Sequence, residues 1–244
     1  MSKKSGAGTV AILGATSAIG KEIADVLASR GQNLLLFARN TAESGEFALE
    51  LERRHNVSVA AKPLEVTSFD AEFLRRDLAS HGPLDGVILC VGYLGDNEKA
   101  FSDPAEAMRI MDANFTGCAR ALDVAASLLE GGFVVALSSV AGDRPRRKVH
   151  TYGIAKAALN DYLETLRARL APEGVRVITI KLGSVDTRMV SHRRRHPFVV
   201  SARDAAESIV DAAAHSSGVV YLPPKWKYIM GAMKLVPGFI YRRM

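Results

Sequence analysis

Short, unbroken apolar runs alternate with helix-spaced segments along almost the whole chain, and this alternation limits the fold more than any other feature. The runs are Thr9–Leu13, Leu34–Ala38, Val57–Ala61, Gly86–Val91, Phe133–Ser138, Val175–Leu182 and Gly218–Leu222. They are apolar at successive positions, the pattern of strands buried on both faces. Between them, helices are predicted over Ala18–Arg30, Ala42–Arg54, Phe69–Ser80, Tyr152–Leu170 and Ala202–His215, with one long or two abutting helices over Pro104–Leu129. In the first, Ile19, Ile23, Val26 and Leu27 share a face, and Gly31 supplies a stop. Such alternation predicts a doubly wound parallel sheet of about seven strands with helices on both faces. No repeat or linker interrupts it, so residues 1–224 read as one domain and residues 225–244 as a tail.

The chain has 244 residues, enough to bury a large core without staples. Its two cysteines, Cys90 and Cys118, fall in apolar or helical stretches and read as buried free thiols, which suits a reducing compartment. The apolar run after Lys3 and Lys4 is too short for a signal sequence, and no window approaches the roughly 20 apolar residues of a membrane span, so a cytoplasmic location is expected. The net charge of +6 is concentrated at residues 144–148, at 193–195 and in the last twenty positions. Nothing resembles a nucleic-acid module. His192 and His196 have helical spacing, but no acid or cysteine completes a metal site near them, and no metal is expected.

The first run leads straight into Gly14-Ala15-Thr16-Ser17-Ala18-Ile19-Gly20 and a helix. Gly14 allows a sharp turn, small residues let backbone amides approach a pyrophosphate at the helix N-terminus, and Gly20 allows close helix packing. The pattern is that of a Rossmann-type dinucleotide site; an ordinary strand–helix turn is the alternative. The second run ends in Phe37-Ala38-Arg39-Asn40, with no acid to accept from a ribose hydroxyl. A guanidinium suits a 2′-phosphate, so Arg39 points to NADP(H) in preference to NAD(H), against the alternative of a solvated surface arginine.

Tyr152 and Lys156 stand at i and i+4, on one helix face. A free phenol, with a pKa of about 10, is a poor acid–base group at neutral pH, and a neighbouring cation favours the phenolate. The pair alone is a chance-level motif. It gains meaning from Ser139, 13 residues earlier, at the end of the fifth apolar run. A hydroxyl at a strand's C-terminal end points into the crevice where parallel sheets bind ligands.

Taken together, these segments are similar to the short-chain dehydrogenase/reductase family over roughly Thr9–Leu222. The resemblance implies reduction of a ketone or oxidation of a secondary alcohol, with Tyr152 as the acid, Lys156 as its helper and Ser139 beside them. It implies that Asn114 holds a water in a proton relay. It further implies that Glu65 and Val66 lie near the adenine, that Gly92 follows the fourth strand, and that Gly183, Val185 and Thr187 lie beside the nicotinamide. A homo-oligomer is the family expectation. Ala18 in place of the loop's second glycine, Leu89-Cys90-Val91 before Gly92, and Leu182 in place of a proline depart from the family pattern.

Several stretches, including Gly92–Asp96, Ala141–Arg147 and Asp186–Met189, resemble a narrower group, the decaprenylphosphoryl-2-keto-ribose reductases. These reduce a keto-sugar on a polyprenyl phosphate for cell-envelope glycan synthesis, after a separate flavin oxidase has acted. Arg144, Arg146 and Arg147, between Ser139 and Tyr152, and Arg193 and Arg194, after the nicotinamide segment, suit a substrate phosphodiester; two solvated basic runs are the alternative. The tail mixes Trp226, Tyr228, Leu235, Phe239 and Ile240 with Lys225, Lys227 and Lys234, a composition for a helix at the membrane interface or for one packed on the core or a partner subunit. A 3-oxoacyl or small-ketone reductase and a non-catalytic NADP(H)-binding regulator are the competing functions.

Overall fold

The computed structural model describes residues 8–144, 146–186 and 198–241. Seven strands form one sheet: β1 (Thr9–Leu13), β2 (Asn33–Ala38), β3 (Val59–Pro63), β4 (Leu84–Leu89), β5 (Phe133–Ser139), β6 (Arg176–Leu182) and β7 (Gly218–Leu222). Their order is β3-β2-β1-β4-β5-β6-β7, and every pairing is parallel. The direction of winding reverses between β1 and β4, where open parallel sheets leave a crevice at their C-terminal edge.

Successive side chains of each strand enter opposite cores. Ala11 and Leu13 pack with Leu35, Phe37, Leu89 and Ala136 under α3 (Ala71–Ala79), α5 (Gly117–Ala126) and α6 (His150–Leu170). Val10 and Ile12 pack with Leu34, Leu36, Ile88 and Val135 under α1 (Ala18–Ser29), α2 (Thr41–His55) and α7 (Ala202–His215). Both faces are therefore apolar, which is why the runs show no polar alternation.

The third strand starts two residues later than the sequence suggests. Asn56 caps α2 in the left-handed region (φ 56°), and the chain needs Val57 and Ser58 to turn back before Val59 pairs with Leu34. The segment after Pro104 is three pieces: α4 (Pro104–Met111), a π-helical turn over Asp112–Thr116, and α5. A Cβ on Gly117 would lie 2.3 Å from the Val66 carbonyl, so this glycine lets α5 begin against the strand-end loop.

Most helices begin with a polar cap of their own. Ser17, Asn40, Asp70, Asp103 and Ser201 each accept an amide from the first turn of α1, α2, α3, α4 and α7. Helix α6 differs: its N-cap is Val149, which has no side-chain acceptor.

The tail forms α8 (Trp226–Leu235) and α9 (Gly238–Tyr241). Trp226 and Met230 are buried against Val140, so part of the tail's apolar surface belongs to the core. Asp143 and Arg144 fasten it. The Asp143 carboxylate is buried and accepts from Lys181 and Tyr221, with Lys234 of α8 at 3.3 Å. Arg144 lies over the Tyr241 ring at 3.8 Å and donates to the Met233 carbonyl, while Tyr241 donates back to the Arg144 carbonyl. Burial pushes the Asp143 carboxyl up, but the Lys181 and Tyr221 hydrogen bonds and the lysine charges outweigh it and hold the group below the usual carboxylate range.

Asp143→Ala strands Lys181 without its buried counter-ion, so unfolding in urea at pH 7 is expected to lose about 3–5 kcal/mol. Because the folded-state value is lowered, the stabilisation is present above the unfolded value of about 4 and is lost as pH falls through the folded one. The gap between wild type and variant should therefore close in acid and stay open at neutral pH.

Candidate active site

The glycine-rich turn lies at the switch point. Gly14 has φ +88°, and a Cβ there would lie 3.0 Å from the backbone of Cys90 and Val91 at the end of β4. Its amide and that of Ala15 both donate to the Phe37 carbonyl, tying the turn to β2. Gly20 would carry its Cβ 2.7 Å from the Gly14 carbonyl and the Ser17 hydroxyl; it allows α1 to sit on its own loop. The first helical bond runs from Lys21 to Ser17, so the amides of Ala18 and Ile19 head the helix in front of it. No acid occupies the first turn of α1. The helix dipole there is left for an anion.

In front of this turn opens a cavity of about 740 Å³. Gly14, Thr16, Ser17, Arg39, Glu65, Val66 and Gly92 all line it, so the structure brings these sequence-predicted residues to one place. Arg39 is 81% exposed and, among the described residues, makes only a long ion pair, 3.7 Å, to Glu65, which leaves its fork open to a ligand. The cradle fits a dinucleotide: two glycines where a Cβ would collide, an unneutralised helix end and a cation at the tip of β2.

Sequence reasoning missed Arg109. It lines the same cavity, lies over the Tyr93 ring at 5.1 Å and is 3.4 Å from Glu106. Glu106 is buried and accepts from Tyr93 Oη and the Asp96 amide; this last bond, foremost, holds its carboxyl below the usual range. The only local signal is the Glu106–Arg109 i, i+3 pair, which looks like any surface pair.

Ser139 ends β5, and Tyr152 lies in the first turn of α6. Lys156, one turn on, is 2% exposed; its Nζ donates to the Leu137 carbonyl at 3.1 Å and lies 6.0 Å from the Tyr152 ring centroid. Burial lowers its pKa. Two buried thiols flank it. Burial pushes Cys90 up to about 12 and Cys118 to about 11, with the Lys156 charge opposing, so both stay neutral. Ser139 Oγ accepts from the Ala141 amide at 3.1 Å and lies 3.4 Å from the Leu182 carbonyl. The turn after it presses on α6: a Cβ on Gly142 would lie 2.7 Å from the Lys156 carbonyl carbon.

Asn114, in the π-turn, is fully buried. Its amide bonds the Tyr93 carbonyl at 2.6 Å and the Ile110 carbonyl at 2.8 Å, and its oxygen accepts the Tyr93 amide at 3.1 Å. A Cβ on Gly92 would lie 3.6 Å from Asn114 Oδ1 and 4.0 Å from Lys156 Nζ, so β4's end, the π-turn and α6 converge there.

On the far side of β6, Gly183 carries the Trp226 indole on its backbone: a Cβ would lie 2.0 Å from Nε1. That nitrogen is buried with no hydrogen-bond partner among the described residues. Val185 is buried and bridges to Val200. Thr187, Arg193 and Arg194 lie outside the described residues. Of the other basic positions, Arg146 and Arg147 are exposed just ahead of α6, whereas Arg144 is turned into the tail contacts described above. Among the described residues, no group of three His, Cys, Asp or Glu is placed to hold a metal, and no helix is long and apolar enough to cross a membrane.

Residues 8–197 match the family described as short chain dehydrogenase. The chain is 31% identical over 244 residues to an uncharacterized oxidoreductase of Mycobacterium tuberculosis, covering 98% of each chain. A short-chain dehydrogenase of Sphingobium yanoikuyae, solved with NADPH, superposes with a TM-score of 0.81 at 22% identity over 95% of this chain and 97% of that one. A 3-oxoacyl-[acyl-carrier protein] reductase of Brucella melitensis superposes with a TM-score of 0.76 at 21% identity over 88% and 89%. With this sheet order and this match across most of its length, the chain belongs to the short-chain dehydrogenase/reductase family of oxidoreductases.

Proposed function

We propose that the protein is an NADP(H)-dependent carbonyl reductase whose proton donor is Tyr152. The observation that carries this reading is the buried Lys156 side chain one helical turn from Tyr152, beside the serine-tipped end of β5. A nicotinamide dinucleotide held in the cavity would supply a hydride to a carbonyl carbon. The chain's own part is the proton. The Tyr152 phenol gives it to the carbonyl oxygen as that oxygen gains charge, leaving a secondary alcohol, and takes it back in the reverse direction. Lys156 favours the resulting phenolate, Ser139 offers a hydroxyl to the same oxygen, and Asn114 fixes the backbone at Tyr93. The presence of all these groups argues against a non-catalytic regulator.

Arg39 is the residue we assign to the adenosine 2′-phosphate, because it is the open cation at the tip of β2. For the ketone we favour a sugar carried on a polyprenyl phosphate. Two observations support this beyond the sequence resemblance. Arg146, Arg147 and Lys148 are exposed immediately before the helix that bears Tyr152. The tail, whose helix α8 packs on Val140 next to Ser139, exposes Tyr228 and Leu235 of α8 and Phe239 and Ile240 of α9, amid Lys225, Lys227 and Lys234. That surface suits the face of an anionic bilayer. A flavin-dependent oxidase supplying the ketone is the partner this substrate implies. Met108 and Ile154, exposed on neighbouring helices α4 and α6, support a homo-oligomer. A 3-oxoacyl or small-ketone reductase is the second reading; it predicts turnover of short uncharged ketones without lipid.

Tyr152→Phe should lower kcat by about 10²–10⁴-fold and leave NADPH binding intact. Unchanged turnover removes Tyr152 from the mechanism, and a wild type inert toward every ketone favours the regulator. Assayed on a lipid-linked 2-keto-pentose phosphate with NADPH and NADH side by side, wild type should prefer NADPH; Arg39→Ala should erode that preference by about 10- to 100-fold, the worth of a charge-assisted bond. Equal use of both cofactors by wild type sinks the NADP(H) assignment. Replacing Leu235 and Phe239 together with glutamate should weaken sedimentation with phosphatidylglycerol vesicles while leaving the buried Trp226 and Met230 in place. Undiminished binding would separate the tail from any membrane role.

A further inference from the structure

The helix that carries Tyr152 lacks a cap of its own, and the molecule supplies one from a distant loop. The first amides of a helix have no partner within it. In α6 the N-cap is Val149, and Tyr152, third in the helix, donates its amide to Asn97 Oδ1 at 3.0 Å across 55 positions of sequence. Asn97 is 5% exposed, and its Nδ2 donates to the Leu94 carbonyl at 2.9 Å, so its orientation is set from both ends.

The loop that presents Asn97 is itself clamped. Asn114 grips both the amide and the carbonyl of Tyr93. Glu106 accepts the Tyr93 hydroxyl and the Asp96 amide. Gly95, with φ +62°, lets the loop lie against α4; a Cβ there would meet Ile110 at 2.5 Å. Gly92 and Tyr93, at the head of this loop, line the dinucleotide cavity. One short segment thus touches the cofactor side with its first residues and the first turn of α6 with its last.

We propose that Asn97 is a positioning residue for Tyr152: its carboxamide fixes the first turn of α6 and thereby the place from which the phenol meets the carbonyl oxygen. The inference rests on the reading of Tyr152 as the proton donor. Removing the cap frees the turn that carries the phenol, while the cavity walls at Gly14, Arg39 and Glu65 stay as they are. The effect therefore falls on turnover and on the titration of Tyr152, and spares cofactor binding.

The test compares wild type, Asn97→Ala and Asn97→Asp. Aspartate keeps an acceptor oxygen in the same place, where a helix N-terminus favours negative charge. On the lipid-linked 2-keto-pentose phosphate and on a panel of short ketones, with NADPH, Asn97→Ala should lower kcat on the order of 10- to 100-fold, the scale of a misplaced catalytic group, with the NADPH KM unchanged. Asn97→Asp should restore most of it. In protein labelled with [4-¹³C]tyrosine, the Tyr152 signal, assigned by its loss in Tyr152→Phe, should change its titration midpoint in Asn97→Ala and return toward wild type in Asn97→Asp. An Asn97→Ala protein that melts lower but keeps the wild-type kcat, pH profile and Tyr152 titration overturns the proposal and leaves Asn97 a structural cap. If wild type turns over no ketone, the reductase reading fails, and the tyrosine titration still decides whether Asn97 places the phenol.

Discussion

The arrangement depends on one buried charge. Lys156 carries an ammonium almost wholly out of water, and such a group persists only where the surroundings give it bonds and a counter-dipole. Here β5 gives it the Leu137 carbonyl. Gly142 allows the turn after β5 to close against its backbone, Gly92 brings the end of β4 near its Nζ, and the thiols of Cys90 and Cys118, which feel its charge, are kept neutral by burial. Moving any of these elements would strand the charge. The same geometry that satisfies Lys156 therefore sets the first turn of α6, which carries Tyr152, beside the end of β5.

A second constraint acts at the β7 end of the sheet. The tail is amphipathic in sequence, yet its apolar residues divide between two environments. Trp226 and Met230 pack on Val140 beside Ser139, and Trp226 lies directly on Gly183; Leu235, Phe239 and Tyr228 face out. Asp143 and Arg144 hold the helix there through a buried carboxylate and a guanidinium stacked on Tyr241. The tail is thus part of the core as well as a surface, and Arg144, which looked free in the sequence, is used to fasten it. A basic run shows only that charge is plentiful. Which cation points outward depends on partners far along the chain, and Met233 and Tyr241 are nearly a hundred positions from Arg144.

The sequence by itself determined the layering, the order of elements and the residue types of the site. Thr9–Leu13, Ala202–His215 and Gly218–Leu222 form as read, because a run buried on both faces and a 3.6-residue stripe are local properties of the chain. Gly14, Ser139, Tyr152 and Lys156 were legible because each is tied to the end of a strand or the start of a helix. Tertiary structure decided the rest. It broke the Pro104–Leu129 stretch with a π-turn that aims Asn114 at Tyr93, moved β3 by two residues behind a left-handed Asn56, and brought Arg109 into the cavity. It also set Asn97 as the cap that Val149 cannot be. Local propensity reads periodicity and turn chemistry over a few residues, whereas a hydrogen bond across 55 positions exists only once the sheet has fixed where both ends lie.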